Sequence, residues 1–392
     1  MVRSSKKSMR REQVPFFVPW ITREDRKAVS EALKSRWLTG GPKVASFEKM
    51  FAEYVGVKHA IAVNSCTAAL HLAMQMLKME AGDEVIVPVF TFAATANAPL
   101  FCGAKPVFAD IDEKTFNISH EDILEKITPK TKAIIVVHYG GQACDMKEIL
   151  EIAEDHKLPV VEDCAHSLGA EYRGKKTGNL GIMGCFSFYP TKIITTIEGG
   201  MLTTNDDTLA SKSRLLREHG MSKTALDRES GASWYYDVTD LGYNYRLNEV
   251  QAALGISQLQ RIEEGIKRRI GAAEYYTRKL KQALKGVVPP YEAPNRSHIF
   301  HLYAIRVQEA AAGITRDELF RKLAKNGIGL SVHYTPLHRF SFYRRLLNSK
   351  KFPVAEQVYK EILSLPLYPT LTKKNMDFVI TKIRESVKSK KR

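Results

Sequence analysis

Gly184-Cys185-Phe186-Ser187-Phe188-Tyr189-Pro190-Thr191-Lys192-Ile193-Ile194-Thr195-Thr196-Ile197-Glu198-Gly199-Gly200-Met201 is the stretch from which the fold is read. It opens on apolar and β-favouring residues, and Pro190 stops the strand ladder. One lysine follows, then more β-branched residues. Glu198-Gly199-Gly200 predicts a turn where backbone must pass close to something. Lys192 is thereby held on a short, stiff segment between two strands. A lysine is presented in this way when its amine is aimed and partly desolvated, which lowers its pKa and makes it a nucleophile. Lys and Arg number 59 in the chain, and such residues are mostly solvated, so position alone does not single Lys192 out.

Upstream, short apolar runs at 60–63, 85–87, 106–108, 133–137 and 159–161 alternate with helix-like segments. That alternation predicts a parallel sheet covered on both faces, with ligands beyond the carboxyl ends of the strands. The residues after each run are therefore the candidates. Asn64-Ser65-Cys66-Thr67 leads into an Ala-Leu-rich helix. Its free amides form either a phosphate site or a plain Ser/Thr cap. Phe92 follows the second run and reads as core or as a platform. Asp163 follows the run at 159–161. A carboxylate buried there needs a positive partner, or it caps a helix. Downstream, 221–238 reads as a loop or lid, and a long helix runs to about 284. Val287-Val288-Pro289-Pro290 marks a boundary. Strands are expected at 301–307 and 328–332, with a helix at 317–324 between them.

The totals set limits. At 392 residues the chain can bury a substantial core. Apolar residues at 44% and charged residues at 26% are ordinary for a globular protein. No apolar run suggests a membrane span or a secretory signal. The five cysteines (Cys66, Cys102, Cys144, Cys164 and Cys185) contain no Cys-x-x-Cys pair, so a reducing cytoplasm is expected and no metal site. The net charge of +16 favours anionic partners and is concentrated at the ends, which read as solvated tails.

Ser-Phe-Tyr-Pro-Thr-Lys at 187–192 with Glu-Gly-Gly at 198–200 resembles the cofactor-lysine segment of the DegT-type nucleotide-sugar aminotransferases. These are fold-type I enzymes of pyridoxal 5'-phosphate (PLP). Separate segments from about 19 to 383 match in the family's order, including Glu162-Asp163-Cys164-Ala165-His166 and Gly242-Tyr243-Asn244-Tyr245-Arg246-Leu247-Asn248. The resemblance implies an α/β fold, with a large PLP-binding domain at 19–250 built on a mostly parallel sheet. It implies a connecting helix at 251–286 and a smaller α+β domain at 287–392, after a basic tail at 1–18. Lys192 would form the Schiff base and Asp163 would pair with the ring nitrogen. Cys66, Thr67 and Ser187 would contact the phosphate. Phe92 would stack on the ring, with His166 near its oxygen. Asn244 would reach the neighbouring subunit's cofactor in a homodimer. Arg246 and His333 are candidate substrate residues. The family usually has Gly where Cys66 stands.

Some relatives carry His at the lysine position and are dehydratases; Lys192 points to transamination. The expected reaction takes an amino group from L-glutamate to a keto group, at C4, of a nucleotide-diphosphate deoxy sugar. A cyclitol or aminobenzoate precursor is the alternative acceptor. A nucleic-acid-binding or regulatory relative is the alternative class, resting on charge alone.

Overall fold

The computed structural model describes residues 13–223, 231, 234–346 and 351–388. Its main sheet has seven strands: β1 (His59–Val63), β2 (Glu84–Pro88), β3 (Lys105–Ala109), β4 (Thr131–Val137), β5 (Val160–Asp163), β8 (Met183–Ser187) and β9 (Gly200–Thr204). A separate small hairpin pairs β6 (Glu171–Tyr172) with β7 (Lys175–Lys176). The order across the main sheet is β1-β9-β8-β5-β4-β2-β3. Strands β3, β2, β4, β5 and β8 are parallel. β9 runs against both β8 and β1, so β1 points the same way as the parallel set. The carboxyl ends of β1, β2, β5 and β8 therefore share one edge, where open α/β sheets place their ligands.

The strands are apolar throughout because helices cover both faces. On one side Ile61, Val85, Val87, Val161 and Leu202 pack with the helix Cys66–Met76. On the other, Phe47 and Phe51 of the helix Pro42–Val55 pack against Phe186 and Phe188, with ring centroids 5.0–5.6 Å apart across the pairs that join the two elements. Thr22 forms a capping box with Asp25, leading into the helix Arg23–Leu33.

A second sheet joins β10 (Val287–Val288), β11 (Tyr303–Val307) and β12 (Ile362–Leu365), all antiparallel. With the helices Arg316–Lys325 and Lys373–Lys388 it closes a core of its own around Tyr303, Ile305, Leu319, Leu323, Val379 and Ile383.

Three expectations need correction. Residues 13–18 are not a solvated tail. Val14 is fully buried, its amide donates to the Gly327 carbonyl at 3.0 Å, and its carbonyl accepts from Gly329 at 2.8 Å. Residues 1–12 lie outside the described residues, as do 224–230, 232–233, 347–350 and 389–392. The long helix is two, Glu249–Leu259 and Ile262–Ala283. The break falls at Arg261, whose backbone leaves the helical region while its guanidinium grips buried Asp25 and the Trp20 carbonyl. The strand expected at 328–332 is only two isolated bridges, Val14 with Ile328 and Ser331 with Ser364. The partner that β11 takes in its place is β12.

Candidate active site

A cavity of about 500 Å³ opens at the shared edge of the main sheet. Lys192 enters it from the segment between β8 and β9. The Lys192 amide donates to the Tyr189 carbonyl at 2.9 Å, and the Phe188 amide and carbonyl tie the start of the segment to Gly199 and Thr196. Gly200 explains the predicted close approach: a Cβ there would lie 2.4 Å from the Ser65 carbonyl carbon. That contact seats the lysine segment against the start of the helix Cys66–Met76.

Lys192 is half-buried, and its amine has no hydrogen-bond or ion-pair partner among the described residues. Withdrawal from water lowers its pKa, against the opposing pull of Cys66 and Asp163. Asp163 closes β5 and is 5% exposed. Its Oδ2 accepts from the Thr95 hydroxyl at 2.8 Å and its Oδ1 from the Ala165 amide at 3.1 Å. Cys66 Sγ lies 4.0 Å from Oδ1. No cation pairs with this carboxylate among the described residues. Burial accordingly raises its pKa, with the Thr95 and Ala165 hydrogen bonds and the Lys192 charge opposing.

The helix start at Cys66 is capped by the Ser65 hydroxyl, which accepts from the Ala68 amide at 3.1 Å. The amides of Cys66 and Thr67 have no acceptor among the described bonds. Ser187, at the end of β8, faces the same space, as does Phe92, which is 63% exposed at the start of the helix Ala93–Phe101.

His166 is buried, with both ring nitrogens engaged. Nδ1 accepts from the Gly140 amide at 3.4 Å, and Nε2 lies 2.8 Å from the Tyr334 hydroxyl. Burial and the nearby Lys192 hold its pKa well below the usual histidine value. His333 Nδ1 pairs with Ser364 Oγ at 2.9 Å, and burial pushes its pKa down to about 4. His301 stands with its ring centroid 4.4 Å from that of His166, and its Nδ1 is buried with no partner among the described residues.

Cys66, Thr67, Phe92, Asp163, His166, Ser187, Lys192 and His333 thus line one cavity. Asn244 and Arg246 do not line it. Asn244 is exposed, its carbonyl accepting from Asn64 Nδ2 at 3.3 Å, and Arg246 is half-buried and bridged to Val63.

The model of the DegT/DnrJ/EryC1/StrS aminotransferase family matches residues 19–384. The chain belongs to that family. It is 46% identical over 379 residues to the spore coat polysaccharide biosynthesis protein SpsC of Bacillus subtilis, covering 96% of this chain and 97% of that one. It is 41% identical over 369 residues to the GDP-perosamine synthase of Caulobacter vibrioides, covering 94% and 96%. Among solved structures, Spr1654 of Streptococcus pneumoniae in its PLP form superposes with a TM-score of 0.89 at 29% identity, over 97% of this chain and all of that one.

The donor set of this DegT-family aminotransferase fits PLP. An unpaired amine, a buried carboxylate without a cation and two free helix-start amides are the complements of an aldehyde, a ring cation and a phosphate. Thr95, which reaches the site only through Asp163, and the lining residues Tyr334, His301 and Phe16 were not picked out from the sequence. Phe16 comes from the strap misread as tail and stacks on His333 with centroids 5.6 Å apart. The sequence signal for Thr95 lay in Thr91-Phe92-Ala93-Ala94-Thr95, where two hydroxyls recur at the spacing of one helical turn.

A candidate metal group, His138 with Glu162 and Cys164, lies beneath the site. The ligand atoms of His138 and Glu162 are already used. His138 Nδ1 accepts from the Cys144 amide, Nε2 faces Glu162 at 2.9 Å, and Glu162 accepts from the amides of Gly178, Leu180 and Gly181. Among the described residues no helix is long and apolar enough to cross a membrane.

Proposed function

We propose that the protein uses PLP to transfer the amino group of L-glutamate to the keto group, at C4, of a nucleotide-diphosphate deoxy sugar, giving 2-oxoglutarate and the amino sugar nucleotide. The observation that carries this reading is the pairing of unpaired Lys192 with cation-free Asp163 in one cavity. Relatives concerned with coat polysaccharide and with GDP-perosamine support the substrate class.

When bound, PLP supplies a carbonyl that joins amines and a cationic ring that takes up the electron pair released at carbon. Lys192 anchors it and then moves a proton between the α-carbon of the donor and C4′, for which a lowered pKa suits the amine. Asp163 keeps the ring nitrogen protonated. The amides of Cys66 and Thr67, with the Ser187 hydroxyl, hold the phosphate. Phe92 covers a ring face and keeps water off it. His166, neutral and tied at both nitrogens, packs as a fixed wall near the ring oxygen. Asn244, exposed and outside its own cavity's lining, reaches a neighbouring subunit's phosphate in a homodimer. Arg246 and His333 serve the substrate. The basic surface draws in the diphosphate.

The test is the near-visible absorbance of the purified protein with PLP, before and after L-glutamate, beside Lys192→Ala. A band that glutamate bleaches, lost in the variant, is expected. A wild-type protein with no such band would overturn the assignment of Lys192.

A further inference from the structure

Asp163 is gripped by neutral donors. The Thr95 hydroxyl donates to Oδ2 at 2.8 Å and the Ala165 amide to Oδ1 at 3.1 Å. Thr95 itself is fully buried at the first turn of the helix Ala93–Phe101, and its Oγ1 lies 2.9 Å from the Oγ1 of Thr91, which is 2% exposed. A hydroxyl has one proton. An ionised Asp163 can only accept, so Thr95 spends its proton on Oδ2 and Thr91 must donate to the Thr95 oxygen. The chain of hydroxyls therefore has a direction, Thr91 to Thr95 to Asp163. It spans from the loop after β2 to the end of β5, two strands that are not neighbours in the sheet.

We propose that Thr95, oriented by Thr91, is a positioning residue for the aminotransfer reaction: it fixes the Asp163 carboxylate in its ionised form, aimed at the cofactor's ring nitrogen. The inference rests on the reading of Asp163 given above and adds what makes that residue work. Burial opposes the charge on Asp163. The Thr95 hydrogen bond favours the ionised form at no cost in compensating charge. A cation in the place of Thr95 would also ionise Asp163. It would compete with the ring for the carboxylate, whereas a neutral donor leaves the negative charge for the ring. Thr95 also restrains the carboxylate against rotation. The second oxygen, held by the Ala165 amide, then presents a defined edge to the cavity.

Thr95→Val keeps the shape and removes the hydroxyl; Thr95→Ser keeps the hydroxyl. Both are compared with the wild type and with Asp163→Asn as PLP-loaded proteins. The readouts are the rate of the glutamate half-reaction, the PLP dissociation constant and the pH midpoint of the near-visible band. Losing a hydrogen bond to a charged group predicts a rate about ten- to hundred-fold lower in Thr95→Val. The midpoint should move to higher pH, because a ring that has lost its charge withdraws less from the Lys192 nitrogen, which keeps its proton longer. Thr95→Ser should stay within about threefold of wild type on the same scale. Thr95→Val added to Asp163→Asn should cost little more than Asp163→Asn alone. A merely structural Thr95 would lower stability without moving the midpoint. Thr91→Val, which misdirects the Thr95 hydroxyl without emptying its place, should shift the midpoint the same way by less and serves if Thr95→Val folds poorly. A wild-type rate and midpoint in Thr95→Val, with Asp163→Asn impaired, overturns this inference alone. An unimpaired Asp163→Asn overturns the reading of Asp163 beneath it.

Discussion

The Tyr334 hydroxyl lies 2.8 Å from Nε2 of His166, and the two rings are within 12° of parallel. Because Nδ1 of His166 accepts from the Gly140 amide, the proton sits on Nε2 and is donated to Tyr334. His166 is thus a neutral, fixed wall of the cavity, not a group that exchanges protons. Tyr334→Phe would leave a buried N–H unpaired. Its expected cost is about 1–3 kcal/mol of stability, measured by urea unfolding. The pH profile of the glutamate half-reaction should keep its acid limb, since burial already holds His166 neutral. A new acid limb near the ordinary histidine pKa in Tyr334→Phe would contradict this assignment.

Lys192 makes the apo-protein's stability depend on pH with a definite sign. Burial lowers the amine's pKa in the folded state, so between that value and the ordinary lysine pKa the unfolded chain binds more protons. Stability must then rise with pH across that window. Lys192→Met removes the term. The variant should be at least as stable as wild type at neutral pH, and its unfolding free energy should climb less steeply on the alkaline side. Urea titrations of both apo-proteins at a series of alkaline pH values measure the two slopes, and equal slopes would refute the burial argument.

Phe16 and Phe17 of the strap at residues 13–17 line the cavity. Phe16 stacks on His333 and, with Phe17, Leu365 and Leu367, gives the cavity an apolar wall. That wall offers apolar contact, which suits a deoxy sugar better than the charged side chain of glutamate. Phe16→Ala should therefore raise the KM for the sugar nucleotide about tenfold or more, the scale of one lost apolar contact of this size. Bleaching by glutamate should proceed at close to the wild-type rate. Equal loss in both half-reactions would place Phe16 in general packing.

The strands were legible in the sequence because helices on both faces force them to be apolar, so β1 to β5 stand out as runs such as Ala60–Val63 and Ala133–Val137. Lys192 and Asp163 were legible because each adjoins such a strand within a recognisable segment. Tyr334 and His301 were not. Their position depends on the packing of the second sheet against the first, which no local pattern encodes. Phe16 and Phe17 were hidden by the basic residues before them, which made their neighbourhood read as solvated. The break at Arg261 was equally invisible, since a helix pattern cannot show that one arginine is pulled aside to Asp25, more than two hundred residues earlier. The expected strand at 328–332 has the right composition, but β11 is already taken by β12, and Ile328 is left to pair with Val14.

Gly200 couples the lysine segment to the start of the helix Cys66–Met76. A Cβ at this position would meet the Ser65 carbonyl carbon at 2.4 Å, its oxygen at 2.5 Å and the Cys66 nitrogen at 2.6 Å. All three atoms are backbone, so no side chain can swing away to relieve the contact. Gly200→Ala must push β9 and the start of the helix Cys66–Met76 apart. Overpacking of this kind costs about 1–3 kcal/mol. The displaced amides are those of Cys66 and Thr67, so the damage should fall on cofactor binding as well as on stability. The expected outcome is a lower melting temperature for the apo-protein, a PLP dissociation constant raised about tenfold or more, and a smaller gain in melting temperature on adding PLP. Gly199→Ala provides the contrast. Its Cβ would meet the Thr196 hydroxyl oxygen at 2.2 Å, the tip of a side chain, and otherwise carbon atoms at 3.2 Å and beyond. It should lower stability while leaving PLP affinity closer to wild type. Calorimetric melting with and without PLP, together with PLP titration of both variants, distinguishes the two, and a Gly200→Ala protein with unchanged PLP affinity would show that the helix start does not hold the phosphate.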